Sequence, residues 1–129
     1  MITADKFNLF NATEDDVIRL NQALAYLQSD PNMAKVVQQV VDLGIPIVFD
    51  NGGLNSMYVT SINCGNSPCP KVPFILWDSF GGGDIKQCVE FDNNGKCSRS
   101  EKGTMSPASV LGHEMGHATD PNYYENVRN

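Results

Sequence analysis

Ser106-Pro107-Ala108-Ser109-Val110-Leu111-Gly112-His113-Glu114-Met115-Gly116-His117 is the stretch around which the chain is organised. Ser106 followed by Pro107 starts a helix: a hydroxyl that caps the first turn, then the residue best tolerated at the first helical position. The helix is predicted to run to Thr119 or Asp120, because Pro121 disfavours helical geometry in the residue before it. On that helix His113 and His117 are separated by about 40° of rotation, so both imidazoles project from one face. Glu114 lies about 100° round from His113, near enough to reach the edge of whatever the imidazoles hold. Val110 falls near about 60°, and Leu111, Met115, Ala108 and Ala118 between about 140° and 220°. The histidines therefore lie opposite the apolar face, where a core histidine would not be.

Two neutral imidazoles on one helical face with an adjoining carboxylate form the HExxH arrangement. The imidazoles bind Zn²⁺, and the carboxylate takes a proton from a water that the metal activates. The chain has two histidines and both are in this motif. The plainer alternative is a pair of solvated histidines on a surface helix. Gly112 and Gly116 each cost about 1 kcal/mol of helix propensity relative to Ala. The expected reason for them is close approach of another backbone, for example the chain returning after Pro121.

A catalytic zinc needs a third protein ligand, with the fourth position left to water. No third histidine exists, so the ligand should be a carboxylate; Asp120 and Glu125 compete for the role, with a ligand from the strands or from beyond Asn129 as the remaining alternative. Asp120 shares the histidine face, at about −20°, but it also suits a helix end or an acceptor for an imidazole N–H. Glu125 follows the Pro121-Asn122 break, which can turn the chain back under the metal. It is the favoured candidate, against the reading of an ordinary exposed acid. Tyr123 or Tyr124 can donate to a developing oxyanion, or simply cover the edge of the core.

Upstream of the helix, residues 1–12 show no period and read as a lead-in. Thr13 followed by Glu14, Asp15 and Asp16 starts a helix, because a capping hydroxyl and first-turn acids both favour its N-terminal dipole. Val17, Leu20, Leu24 and Leu27 then recur at helical spacing until Ser29-Asp30-Pro31. A second helix carries Met33, Val36, Val37, Val40 and Val41 and stops at Gly44. These stripes read as core, and together they form a helical hairpin. Strands are predicted at Ile45–Asp50, Met57–Ile62, Val72–Asp78 and Ile85–Phe91, the last running into the turn Asp92-Asn93-Asn94-Gly95. Pro46 marks the start of its strand or a sheet edge. The order of helices, strands and helix is that of an α+β domain with a small antiparallel or mixed sheet.

With 129 residues and 41% apolar content, the chain is sized for one domain with an ordinary core. A net charge of −6 and a pI near 4.6 argue against nucleic acid as a partner. No apolar run approaches about 18 residues, so no membrane insertion is expected. The acidic N-terminus has no signal-peptide core. The expectation is either a chain made in the cytosol or a module of a longer chain that carries the export signal. Cys64, Cys69, Cys88 and Cys97 sit in the loop-rich middle. Disulfides are favoured, with the sequence-local pairs Cys64–Cys69 and Cys88–Cys97 first among three pairings. Reduced thiols and a structural four-cysteine zinc site are the alternatives, the latter with spacings unlike those of a zinc ribbon.

The stretch from Met105 to Ala118 resembles the zincin toxin domains at the C-termini of bacterial RHS-repeat and other polymorphic-toxin proteins. It is also similar to NleD-like effector metallopeptidases. Tyr124-Glu125-Asn126-Val127-Arg128 resembles the ENxxR segment that follows the zinc helix there, although the segment between His117 and Glu125 is shorter here. Residues 23–50 are loosely similar as a helix–strand lead-in. The resemblance implies a zincin-like fold and a zinc peptidase, with Glu125 completing the metal site. It also implies secretion or delivery into a target cell and an immunity protein or encapsulation in the producer. From the residues and the resemblance together, a zinc metallopeptidase acting on protein or peptide is the leading reading. The alternatives are a zinc-binding module without catalysis and a zinc amidase acting on cell-wall peptides.

Overall fold

Four residues of Ile47–Phe49 (β2) and Phe74–Trp77 (β4) form the centre of the molecule. Ile47 pairs with Ile75 and Phe49 with Trp77 in parallel register, and all four belong to the buried core. Side chains alternate across a strand, so this register points both pairs at the same face of the sheet. Helices cover that face. The computed structural model describes residues 1–50, 56–59, 72–81 and 83–121.

The sheet is completed on one side by Leu9–Phe10 (β1), parallel to β2, and on the other by Met57–Val59 (β3), antiparallel to β4. Between β1 and β2 the chain makes a helical hairpin, Glu14–Gln28 (α1) and Pro31–Leu43 (α2). Thr13 and Asp16 form a reciprocal capping box at the start of α1. Asp30 caps α2 ahead of Pro31, and Gly44 ends it in the left-handed region at φ 68°. Leu20, Leu24, Leu27, Val37 and Val40 are buried beneath the hairpin, as their spacing predicts.

Gly83–Phe91 (β5) and Cys97–Met105 (β6) form a separate antiparallel ribbon, closed by the turn at Asp92–Gly95. The last described element is Pro107–Thr119 (α3), which packs on α1 and α2 and on β3 and β4. The domain is thus α+β, with three α-helices among the described residues, a mixed sheet and an antiparallel ribbon. No helix among the described residues is long and apolar enough to cross a membrane.

Two features differ from the sequence reading. The polar lead-in is ordered structure. A single 3₁₀ turn, Ala4–Lys6, and the residues before it are tied to α1 by Asn21 and Gln28, whose amides bond the backbone of Ala4 and Ile2, and β1 is held by its pairing with β2. Two side chains that satisfy backbone groups have no periodic signature, so the pattern gave no sign of them. The strand β6 was not anticipated because Ser98, Arg99, Ser100 and Glu101 are all exposed and polar. Pro46 stands where the first of its two expected readings puts it, immediately before β2, with its carbonyl accepting from the Ile75 N–H at 2.9 Å.

Candidate metal centre

The predicted helix boundaries of the motif are those observed: Ser106 is the N-cap, Pro107 opens the helix, and Thr119 is its last residue. Two further contacts hold its N-terminal end. The Ser106 hydroxyl accepts from the Ser109 N–H, and the buried Trp77 indole donates to the Pro107 carbonyl at 2.9 Å. Leu111 and Met115 are fully buried against the core, whereas His113 is exposed and His117 half-buried. The opposition of apolar and histidine faces read from the sequence is present.

The rings of His113 and His117 meet edge to face with centroids 4.5 Å apart. Their Nε2 atoms converge to 3.0 Å. Two imidazole nitrogens on a tetrahedral zinc, each at about 2.0–2.1 Å, lie about 3.3–3.4 Å apart. The pair is therefore close to the spacing that a shared cation requires. At that distance one Nε2 can donate to the other, and with both Nε2 atoms deprotonated the same two imidazoles suit a divalent cation chemically. Burial, together with the neighbouring His113, holds the His117 imidazole below its usual pKa, opposed by the negative charge of Asp120. This keeps His117 in the neutral form that metal ligation needs.

Glu114 lies on the inner side of this pair and is only 8% exposed. Burial raises its pKa, against the lowering effects of His113 and of a hydrogen bond from the Tyr58 backbone. The direction of that bond follows from the sheet. Ile75 turns its N–H to Pro46 and hence toward β2. Tyr58, opposite Ile75 in the antiparallel register, therefore forms a non-hydrogen-bonded pair with it and turns its own N–H away from β4. Glu114 thus meets β3 on its outer side, where no other described strand is paired. Sequence reasoning could not have found Tyr58 here, because its contribution is a backbone N–H whose direction depends on register.

Asp120 is the C-cap of α3, with extended backbone and its N–H on the His117 carbonyl at 3.2 Å. Its carboxylate acts on His117 through its charge. Among the described residues, no group of three or more His, Cys, Asp or Glu side chains gathers where it could hold a metal. Glu125, Tyr123 and Tyr124 lie outside the described residues, as do Cys64 and Cys69. Cys88 and Cys97 form the expected sequence-local disulfide across the ribbon, with Cα atoms 5.7 Å apart.

Gly112 lies close to the helical hairpin. A Cβ there would stand 2.8 Å from the Leu27 side chain and 3.2 Å from that of Met33. Among the described residues, the close neighbours of Gly112 are thus side chains of the helical hairpin, and the chain after Pro121 lies outside the described residues. At Gly116 nothing among the described residues lies within 4 Å of an added Cβ. Comparison with known proteins finds no family model, no curated protein and no solved structure that matches this chain.

Proposed function

We propose that this protein is a zinc-dependent peptidase, with His113 and His117 as metal ligands and Glu114 as the general base. The observation that carries the reading is the convergence of the two Nε2 atoms to 3.0 Å beside a buried carboxylate. Asp120 and Glu125 remain the candidates for a third ligand, Glu125 on the resemblance of the segment around it. A bound Zn²⁺ supplies Lewis-acid activation of water and of a peptide carbonyl.

The chain's own residues account for the remaining requirements. Glu114 accepts a proton at a carboxylate whose raised pKa makes it a stronger base than a solvated glutamate, and returns it to the leaving amine. The Tyr58 N–H holds that carboxylate in place. An extended peptide is proposed to lie along the sheet edge beside the helix, near Glu114. Tyr123 and Tyr124 are proposed as donors to the developing oxyanion. The resemblance supports a bacterial effector or toxin that is secreted or delivered into a target cell, with an immunity protein as partner. The Cys88–Cys97 disulfide is in keeping with an oxidising compartment.

Metal analysis combined with digestion of a denatured protein mixture tests the proposal. Wild type should hold one zinc per chain and cleave. Glu114→Gln should keep the zinc and lose about 10²–10⁴-fold in rate. Stoichiometric zinc without cleavage of any protein would favour a binding module. Cleavage confined to peptidoglycan peptides would favour an amidase.

A further inference from the structure

The β5–β6 ribbon keeps one register over nearly its whole length. Gly83 stands opposite Met105, and the pairing continues residue for residue to Cys88 opposite Ser100. The same register returns at the tip, where Phe91 is opposite Cys97 and the Asp92 N–H donates to the Lys96 carbonyl at 2.8 Å. Between these two regular stretches the pair Glu90–Arg99 is out of step. Val89 on one strand and Ser98 on the other are left without a partner in the ladder, as two bulges that cancel. The disulfide crosses this same segment. Cys88 and Cys97 do not oppose one another, since Cys97 is three residues along β6 from Ser100, the partner of Cys88. In a regular antiparallel ladder that offset sets two Cα atoms about 11 Å apart, from about 10 Å along the strand and about 5 Å across it. A disulfide needs them within about 7 Å, and here they are 5.7 Å apart. The cross-link and the regular ladder therefore exclude each other, and the two bulges are what admits the cross-link.

We infer that the ribbon is a redox switch with two pairings. With the Cys88–Cys97 bond it holds the bulged form; with the bond reduced it closes into one uninterrupted register, Val89 opposite Arg99 and Glu90 opposite Ser98. Neither state depends on the peptidase reading. The reductant is a dithiol. Its thiolate attacks the sulfur of Cys97, the more exposed of the two cysteines, forming a mixed disulfide and releasing Cys88 as a thiolate. Its second thiol attacks the mixed disulfide, frees Cys97 and leaves the reductant as a disulfide. Two electrons and two protons pass in all from the dithiol to the two cysteines. The change of pairing moves identifiable contacts. In the bulged form Arg99 pairs with Glu90 at 3.3 Å, and the Ser98 hydroxyl donates to the Glu90 carbonyl at 3.2 Å. In the regular ladder opposed residues share a face and successive residues alternate, which puts Glu90 and Arg99 on opposite faces and ends their ion pair. Arg99 keeps Glu101, two residues along its own strand and 3.8 Å away in the bulged form. An exposed ion pair is a small loss, and the ladder gains a regular pair in return. An oxidising compartment holds the first form and a reducing one the second.

NMR of the whole chain before and after addition of dithiothreitol tests this. On reduction, cross-strand backbone NOEs should appear between Val89 and Arg99 and between Glu90 and Ser98, and those between Glu90 and Arg99 should vanish. The NOEs that pair residues 83–87 with residues 101–105 should remain, and reoxidation should reverse every change. Cys88→Ser/Cys97→Ser should show the reduced pattern with no reductant present, which separates the ribbon's own disulfide from any action of the reductant on Cys64 and Cys69. Hydrogen exchange is a separate readout. A two-stranded ribbon without its cross-link opens more often and loses protection, while the NOEs report the pairing into which it closes. Persistence of the Glu90–Arg99 pairing in the reduced protein and in the double variant would overturn the switch. Loss of every cross-strand contact between residues 88–91 and residues 97–100 would overturn it equally, because the reduced ribbon would then have no second pairing.

Discussion

At the scale of single residues, Glu114 combines two demands that oppose each other. A buried carboxylate is a stronger base, but its ionised form is costly to desolvate, which is why its pKa is raised. A group whose pKa is higher in the folded than in the unfolded state binds more protons when folded, so its contribution to stability falls as pH rises through that interval. Above that interval Glu114 therefore destabilises the metal-free protein. Glu114→Gln should raise the melting temperature of that form, as read by calorimetry, while removing turnover. His117 has the opposite sign. Its pKa is depressed on folding, so the stability it contributes is present above its ordinary value of 6.5 and is lost as pH falls below it. The metal-free protein should lose stability below about pH 6.5, and His117→Gln should flatten that part of the profile in thermal melts.

The elements show why two glycines of similar appearance have different roles. Gly112 and Gly116 are both interior to α3, spaced one turn apart. Replacing a helical Gly by Ala gains up to about 1 kcal/mol where there is room. Gly116→Ala should therefore stabilise the protein by an amount of that order in urea melts. Gly112→Val should destabilise it by about 1–3 kcal/mol, since a side chain there meets buried Leu27 and the Met33 methyl. Much of the element structure was readable from the chain. Thr13 and Ser106 announced two of the helix starts, Gly44 a helix end, and the period of Leu20, Leu24 and Leu27 the buried face of α1; Asp30, the cap of α2, reads in the sequence only as part of the break after α1. The N-terminal strand and β6 were not readable. Leu9–Phe10 is too short to show a period, and β6 is solvated along its tip, so no apolar alternation is required of it.

For the molecule as a whole, the contrast is between the helix-covered mixed sheet and the β5–β6 ribbon. Trp77, the chain's only tryptophan, joins the two central components, lying in the core against Phe49 and bonding the start of α3. The buried Asp16–Ser79 hydrogen bond, at 2.6 Å, fixes the start of α1 to the segment following β4. The ribbon instead carries its own covalent tie. A disulfide closing a loop of this size stabilises by about 2–3 kcal/mol in the chain-entropy account. Because Cys88 and Cys97 lie in the ribbon, Cys88→Ser/Cys97→Ser should strip hydrogen-exchange protection from β5 and β6. Trp77 fluorescence and zinc content should remain unchanged. Loss of zinc in that double variant would show that the ribbon supports the metal centre.

The sequence alone determined which helix carries the histidines, where it starts and stops, and that its histidine face points away from the core. These are properties of local spacing and capping, and a helix displays them wherever it is packed. Tertiary structure decided what the motif faces. The register of β3 on β4 turns the Tyr58 N–H outward to Glu114, and the hairpin's Leu27 and Met33 press against Gly112. Both depend on contacts between residues distant in the chain, whose geometry comes from how whole elements pack and not from the spacing within any one of them.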